Sequence, residues 1–225
     1  SRELLTEIFG DHFSNDDFKF STGKKINKNK IDLWFQRISY VGELGWEIYI
    51  PVEKSKKIYE LIINLEKKFS LVHAGAHAMD IMRMEKGYLH WGHDISPAEN
   101  PYEAGLSFAL KLNKKEDFIG KEFLIKNKNI KKKKLMMFVL EDSTPGNPLL
   151  LHDEPIYYKG EIIGETTSGN YSFIYKKNLA YGYINSKIDF DISNSEFEIE
   201  VAKKKYKAKI LKKPLHDPLN IQLKI

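Results

Sequence analysis

The chain has 225 residues, of which 42% are hydrophobic, so it can bury a core in one large domain or two modest ones. Cysteine is absent, which excludes disulfides, iron–sulfur clusters and thiolate zinc sites. A reducing compartment is compatible with this composition, and we expect a cytoplasmic location. The net charge is +5, carried almost entirely by lysine rather than by the arginine that reads bases and phosphates. No apolar run is long enough to cross a bilayer, so we expect neither a nucleic-acid nor a membrane partner.

The first half of the chain mixes helical and strand patterns. Apolar residues spaced three and four apart predict amphipathic helices, and alternation bounded by turn residues predicts strands. Glycines and prolines make 88–105 irregular, and Gly87 is the expected cap of the helix before it. The predicted elements are a helix over 1–9, strands over 33–39 and 46–50, helices over 53–68 and 76–86, a strand over 106–112 and a short helix over 119–127.

The pattern changes after Lys131–Lys134, an unbroken charge run that favours a solvated linker over a nucleic-acid patch. Short strands then follow one another, with hairpin tips expected at Lys159-Gly160 and Lys203–Lys205. They cover 135–141, 155–158, 161–166, 180–184, 196–202 and 206–211. This spacing predicts a small all-β sandwich or barrel. We place a domain boundary at the charge run, which gives domains over 1–128 and 129–225.

Two histidine pairs are candidates for metal ligands. His90 and His93 lie three residues apart, but the glycine between them argues against a shared helix face. His73 and His77 lie four apart without the glutamate of an HExxH motif. We therefore favour loop histidines that satisfy backbone groups, and we expect no metal. The sequence also has no glycine-rich nucleotide cradle and no nucleophile elbow.

Tyr40 and Glu47 flank a turn between two predicted strands. Glu47 stands between Trp46 and Ile48, so strand alternation directs its carboxylate to the opposite face from theirs. A carboxylate there can accept two parallel hydrogen bonds from an amino-pyrimidine edge. The plain alternative is an exposed strand carboxylate paired with a lysine, and on these residues alone that alternative is favoured.

Several blocks occur in the order found in the aminomethyltransferase family, which includes the glycine-cleavage T-protein. The segment Arg37–Glu47 resembles the family's R-x-S-Y-x-G-E-x-G-[FW]-E block. The resemblance covers nearly the whole chain, and the ordering makes it specific. The further blocks are Ala78–Tyr88, Trp91–Pro97, Pro101–Leu106, Phe118–Glu122, Glu154–Tyr157, Gly164–Gly169 and Ala180–Ile184.

Within the family, the residues of these blocks are most similar to those of the dimethylglycine and sarcosine dehydrogenase branch. The similarity is carried by Glu85–Tyr88, Trp91–Asp94 and Glu154–Tyr157. The resemblance implies an α+β fold: the C-terminal part of the folate-binding fold, followed by a small β-barrel. It also implies a tetrahydrofolate-binding module that captures a carbon released from an N-methyl amine. FAD is expected only in a flavin domain that precedes the module in the parent chain.

The resemblance also implies roles for four residues. Tyr40 matches a position that packs on the pterin ring, and Glu47 matches one that binds the amino and N3 edge. Phe108 matches an aromatic position near the aminobenzoate, with core packing as the equal alternative. Met79 stands where glycine-cleavage enzymes carry an arginine on folate. That departure puts one contact to the folate tail in question.

The family's catalytic aspartate is expected upstream of the first matching block. The resemblance therefore assigns no catalytic residue to this chain, and the chain by itself is expected to be inactive. Two rival interpretations stay open. One is a stand-alone aminomethyltransferase fed by a lipoyl carrier, or a related folate-dependent demethylase. The other is a degenerate folate-binding module that is not an enzyme.

Overall fold

The computed structural model describes residues 1–191, 195–214 and 216–225. The chain divides into two compact units, Ser1–Lys86 with Leu215–Ile225, and Gly87–Pro214. The second unit thus includes 87–128, which we had expected with the first domain. The boundary at residue 128 stays a prediction. The α+β class with a closed barrel is confirmed.

The first unit is a three-stranded antiparallel sheet with helices. Its order is β1-β2-β3. Its elements are α1 Arg2–Phe9, β1 Gly23–Lys28, β2 Ile31–Gln36, β3 Glu47–Tyr49, α2 Ser55–Ile63, α3 Glu66–Phe69 and α4 Ala76–Lys86. The predicted helix over 76–86 is confirmed, whereas the one predicted over 53–68 is two helices preceded by a 3-10 turn at Val52–Lys54.

Alternation in β2 explains why this sheet has one buried face. Ile31, Leu33 and Phe35 are buried, and the residues between them are exposed or half-buried. They join apolar side chains of α1, the following loop and α2 in one core: Leu5, Ile8, Phe9, Phe13, Phe18, Ile26 and Ile58. Strand β1 was not predicted from the sequence, because Ile26 is its only buried residue.

The second unit contains a closed antiparallel barrel in the order β4-β7-β6-β5-β8-β9. Its elements are α5 Lys121–Lys126, β4 Lys133–Leu140, β5 Pro155–Tyr158, β6 Glu161–Ser172, β7 Lys177–Asn185, β8 Phe197–Val201 and β9 Lys204–Leu211. All six predicted barrel strands are confirmed, although β6 runs six residues further than expected. The charge run is only partly a connector, since Lys133 and Lys134 begin β4.

One strand prediction in this unit is wrong. The segment 106–112 forms a 3-10 turn at Ser107–Ala109 instead of a strand. Phe108 is 78% exposed in this turn and packs in no core.

Close packing in the barrel explains one glycine of the Gly164–Gly169 block. A Cβ added at Gly164 would lie 1.8 Å from the carbonyl oxygen of Tyr183 on the neighbouring strand. Any side chain would therefore push β6 away from β7.

Candidate functional site

The loop between β2 and β3 is built by its own short side chains. Ser39 Oγ accepts hydrogen bonds from the backbone N–H groups of Val41 and Glu43, at 3.3 and 3.2 Å. Gly42 between them is buried and has a φ of +80°, a conformation that favours glycine. Tyr40 is therefore held, half-buried, in a compact turn.

Glu47 begins β3 on the exposed face of the sheet, as strand alternation predicted. Its Oε2 accepts a hydrogen bond from the Tyr49 hydroxyl at 2.7 Å. This hydrogen bond is the main reason that the pKa of Tyr49 is raised. The alternative interpretation, an exposed carboxylate paired with a lysine, expected a different partner for Glu47 from the Tyr49 hydroxyl found here.

The neighbours of Glu47 extend this face. Antiparallel register places Gln36 opposite Glu47 and Trp34 opposite Tyr49. The two aromatic residues are 46% and 52% exposed, so their rings are open to solvent. A carboxylate, a carboxamide and two rings on one face can bind a flat heterocycle that donates hydrogen bonds. Trp34, Gln36 and Tyr49 were not predicted; alternation from Glu47 would have identified Tyr49, whereas Trp34 and Gln36 depend on the register of β2 against β3.

The other two predicted site residues lie elsewhere. Met79 is on α4 in the first unit and is 44% exposed. Phe108 is in the second unit, in the exposed turn described above. The core-packing alternative for Phe108 is wrong, because the side chain is largely exposed. The folate roles of all four residues stay predictions.

Trp46, in the same loop, lies close to two guanidinium groups. The Arg2 and Arg37 guanidinium carbons lie 5.9 and 5.5 Å from its ring centroid. Arg37 is buried and donates to the carbonyl of Phe18 at 2.6 Å, while its Nε has no hydrogen-bond partner among the described residues. Burial, reinforced by the charge of Arg2, lowers the pKa of Arg37. Two cation–π contacts thus hold the base of the loop.

The end of α4 carries a buried ion pair. Lys86 Nζ lies 2.9 Å from Asp217 Oδ2, and the two side chains are 2% and 6% exposed. Burial acts to raise the pKa of Asp217, but hydrogen bonds from Lys86 and from the backbone of Ile221 and Gln222 outweigh it and lower the pKa. Neither charged residue was predicted from the sequence, because 131 positions separate them.

Asp94 is the polar centre of the second unit and is fully buried. Its carboxylate accepts from the His90 backbone N–H at 2.8 Å, from Thr167 Oγ1 at 2.6 Å and from Ser168 Oγ at 2.7 Å. Adjacent strand residues normally point to opposite faces, but a bulge in β6 between Thr166 and Ser168 lets both hydroxyls reach one oxygen. Asp94 thus joins the block 91–97 to the block 164–169 by hydrogen bonds.

A cleft of about 720 Å³ lies beside this centre, with His93, His152 and Glu99 in its lining. Burial acts to raise the pKa of Glu99, but hydrogen bonds from Lys133 and Ser96 lower it overall. The rings of His90 and His93 stack with centroids 4.6 Å apart. In the parts of the chain that the structure describes, no group of three or more His, Asp or Glu residues is arranged to hold a metal ion.

Among the described residues, no helix combines the length and apolar character that crossing a membrane requires. The cytoplasmic location stays a prediction.

Comparison with known proteins gives two family matches. The GCVT N-terminal domain matches residues 1–114, and the glycine cleavage T-protein C-terminal barrel domain matches residues 133–217. Similar proteins include mitochondrial dimethylglycine dehydrogenase of Mus musculus, 36% identical over 96% of this chain, and mitochondrial sarcosine dehydrogenase of Homo sapiens, 33% identical over all of it. The chain spans about a quarter of each relative, 24% and 25% respectively.

A solved structure shares the fold. Glycine cleavage system aminomethyltransferase T from Bartonella henselae superposes with a TM-score of 0.79 at 21% identity, over 95% of this chain and 56% of that one.

Proposed function

We propose, from the premise that the chain belongs to the glycine cleavage T-protein family, that it is a tetrahydrofolate-binding one-carbon transfer module. The parent would be a demethylating enzyme similar to dimethylglycine and sarcosine dehydrogenases, acting on an N-methyl amine. FAD would belong to a flavin domain in the parent. The similarity to those two dehydrogenases over nearly the whole chain supports this choice over a stand-alone aminomethyltransferase.

The exposed face around Glu47 is the observation that carries the proposal. A carboxylate offers about four acceptor positions, so the one bond from Tyr49 leaves capacity for two parallel bonds from the pterin amino and N3 groups. Tyr40 would pack on the pterin ring at the end of the same loop. Met79 would lie along the folate tail, and Phe108 near the aminobenzoate.

Catalysis by such a module is mainly positioning. The folate amine must lie beside the carbon donor, so that capture of the carbon is faster than its loss to water. A carboxylate that assists the proton transfers is also needed. None of the residues proposed here supplies it, since Glu47 is assigned to the opposite, pyrimidine edge of the pterin. We therefore propose that this chain binds folate and does not by itself accelerate transfer.

Calorimetric titration with tetrahydrofolate tests the assignment of Glu47. Glu47→Gln keeps the shape of the side chain but removes its charge, and one charge-assisted hydrogen bond is worth about 1.5–3 kcal/mol. We expect binding to weaken by that amount. Glu53→Gln, an exposed glutamate of the same unit, is the matched control and should leave affinity unchanged. Equal affinities for Glu47→Gln and the unaltered chain would reject the pterin assignment.

A further inference from the structure

The loop between β2 and β3, which carries Tyr40 and leads to Glu47, is in contact with the C-terminal segment 216–225 of the same unit. Asp217 organises this segment, because its carboxylate accepts from the backbone N–H groups of Ile221 at 2.8 Å and Gln222 at 3.2 Å. The same carboxylate holds the buried Lys86 ammonium at 2.9 Å. Lys86 also donates to the backbone carbonyl of Asp217. One aspartate thus shapes the segment and attaches it to the end of α4.

Lys86 connects this attachment to the loop. A Cβ added at Gly42 would lie 2.7 Å from both Cγ and Cδ of Lys86, so the lysine stem packs directly against the loop backbone. Gly42 lies two residues after Tyr40 and five before Glu47. A change in the Lys86 side-chain conformation therefore moves the backbone between Tyr40 and Glu47.

Glu43 forms a second connection. His216 Nε2 lies 3.3 Å from Glu43 Oε1. The Gln222 amide nitrogen, in the orientation that satisfies both side chains, donates to the two Glu43 oxygens at 3.0 and 2.9 Å. Glu43 also donates its backbone N–H to Ser39 Oγ, so it belongs to the hydrogen-bonded turn itself.

We propose that residues 216–222 position the loop 37–46 between β2 and β3, with Lys86, Asp217 and Glu43 as the positioning residues. The segment contacts Glu43 directly and reaches Gly42 through Lys86, whose stem packs on that glycine. Removing one partner of a buried ion pair leaves a charge uncompensated. The segment thereby fixes the separation of Tyr40 from Glu47 and sets the affinity for a pterin. This inference rests on the proposed function for its ligand but not for its geometry.

Two variants test it from opposite sides of the contact. Asp217→Asn breaks the ion pair and keeps the size of the side chain. Glu43→Ala removes the second connection while the ion pair stays intact. The matched controls are Asp32→Asn, whose ion pair with Lys25 is exposed, and Glu53→Ala.

Three quantities are measured on the 225-residue chain: the dissociation constant for tetrahydrofolate, amide hydrogen exchange in residues 39–46, and the thermal midpoint. We expect the dissociation constant to rise about tenfold for Asp217→Asn and about threefold for Glu43→Ala. Exchange in residues 39–46 should accelerate in both, and the controls should match the unaltered chain. If Asp217→Asn does not fold, Glu43→Ala decides the outcome.

A fall in thermal midpoint with unchanged exchange in residues 39–46 would show that the segment only stabilises the unit, and would overturn the inference. Faster exchange with an unchanged dissociation constant would overturn the link to affinity. Absence of folate binding by the unaltered chain would instead overturn the proposed function and this link together. Exchange would then still decide whether the segment holds the loop.

Discussion

Replacing Asp94 tests whether one buried carboxylate holds the loop 90–96 on the barrel. Its Oδ2 accepts from the His90 backbone, and its Oδ1 accepts from Thr167 and Ser168. Asp94→Ala removes these three hydrogen bonds at a position with no exposed surface. Asp94→Asn keeps the shape of the side chain and removes the charge.

The two variants should differ in cost. Hydrogen bonds to a charged group contribute about 1.5–3 kcal/mol each, but such losses do not add fully when hydroxyl groups can rotate to other partners. We expect Asp94→Ala to lower the free energy of unfolding by about 3–5 kcal/mol. We expect about 1–2 kcal/mol for Asp94→Asn, because its oxygen can still accept from His90 while the Thr167 and Ser168 hydroxyls reverse and accept from its amide.

Hydrogen exchange in β6 and β7, combined with urea unfolding, measures this cost within the second unit. Asp153→Asn is the matched control, because Asp153 is exposed and asparagine tolerates its positive φ of 62°. The control should stay within about 0.5 kcal/mol of the unaltered chain. A loss below about 1 kcal/mol for Asp94→Ala would refute the view that this carboxylate anchors the loop.

Two further predictions concern acid sensitivity and the loop glycine. The folded-state pKa values of Glu99 and Asp217 lie below their ordinary values of 4.5 and 3.8. The stability that these carboxylates contribute is therefore present above the ordinary pKa values and is lost as the pH falls through the lowered ones. Urea midpoints measured from about pH 6 downward should fall only in that acid range, and a flat profile would contradict the paired geometry. Gly42→Ala should cost about 1–3 kcal/mol, because its positive φ is strained for alanine and the methyl group meets Lys86; an unchanged thermal midpoint would contradict it.

The sequence predicted the elements whose apolar pattern is strong. Strands β8 and β9 follow from alternation, since every second side chain of β8 and of the end of β9 is buried. The helix over 76–86 was predicted with Gly87 as its cap, although the residues it buries are the four of its last turn, Arg83–Lys86. Strand β1 was missed because backbone pairing with β2, rather than apolar content, holds it in the sheet. The segment 106–112 was wrongly assigned because alternation alone does not distinguish a strand from an exposed turn.

The candidate site was predicted only in part, for a similar reason. Tyr40 and Glu47 share a local motif, and alternation correctly placed Glu47 on the exposed face. Lys86 and Asp217 meet only through the tertiary fold, and no local pattern links them. Asp94 stood in a recognised block, but its partners depend on a bulge in a distant strand.

Closure of the barrel also constrains how the chain is made. The last seam joins β4 to β9, where Met137 pairs with Leu211. During synthesis the barrel therefore cannot close until residue 211 has emerged from the ribosome. Until then β4 presents an unpaired edge bearing Phe138 and Leu140, both fully buried once the seam has formed. A nascent chain stalled before that point is the form of this protein most in need of a chaperone.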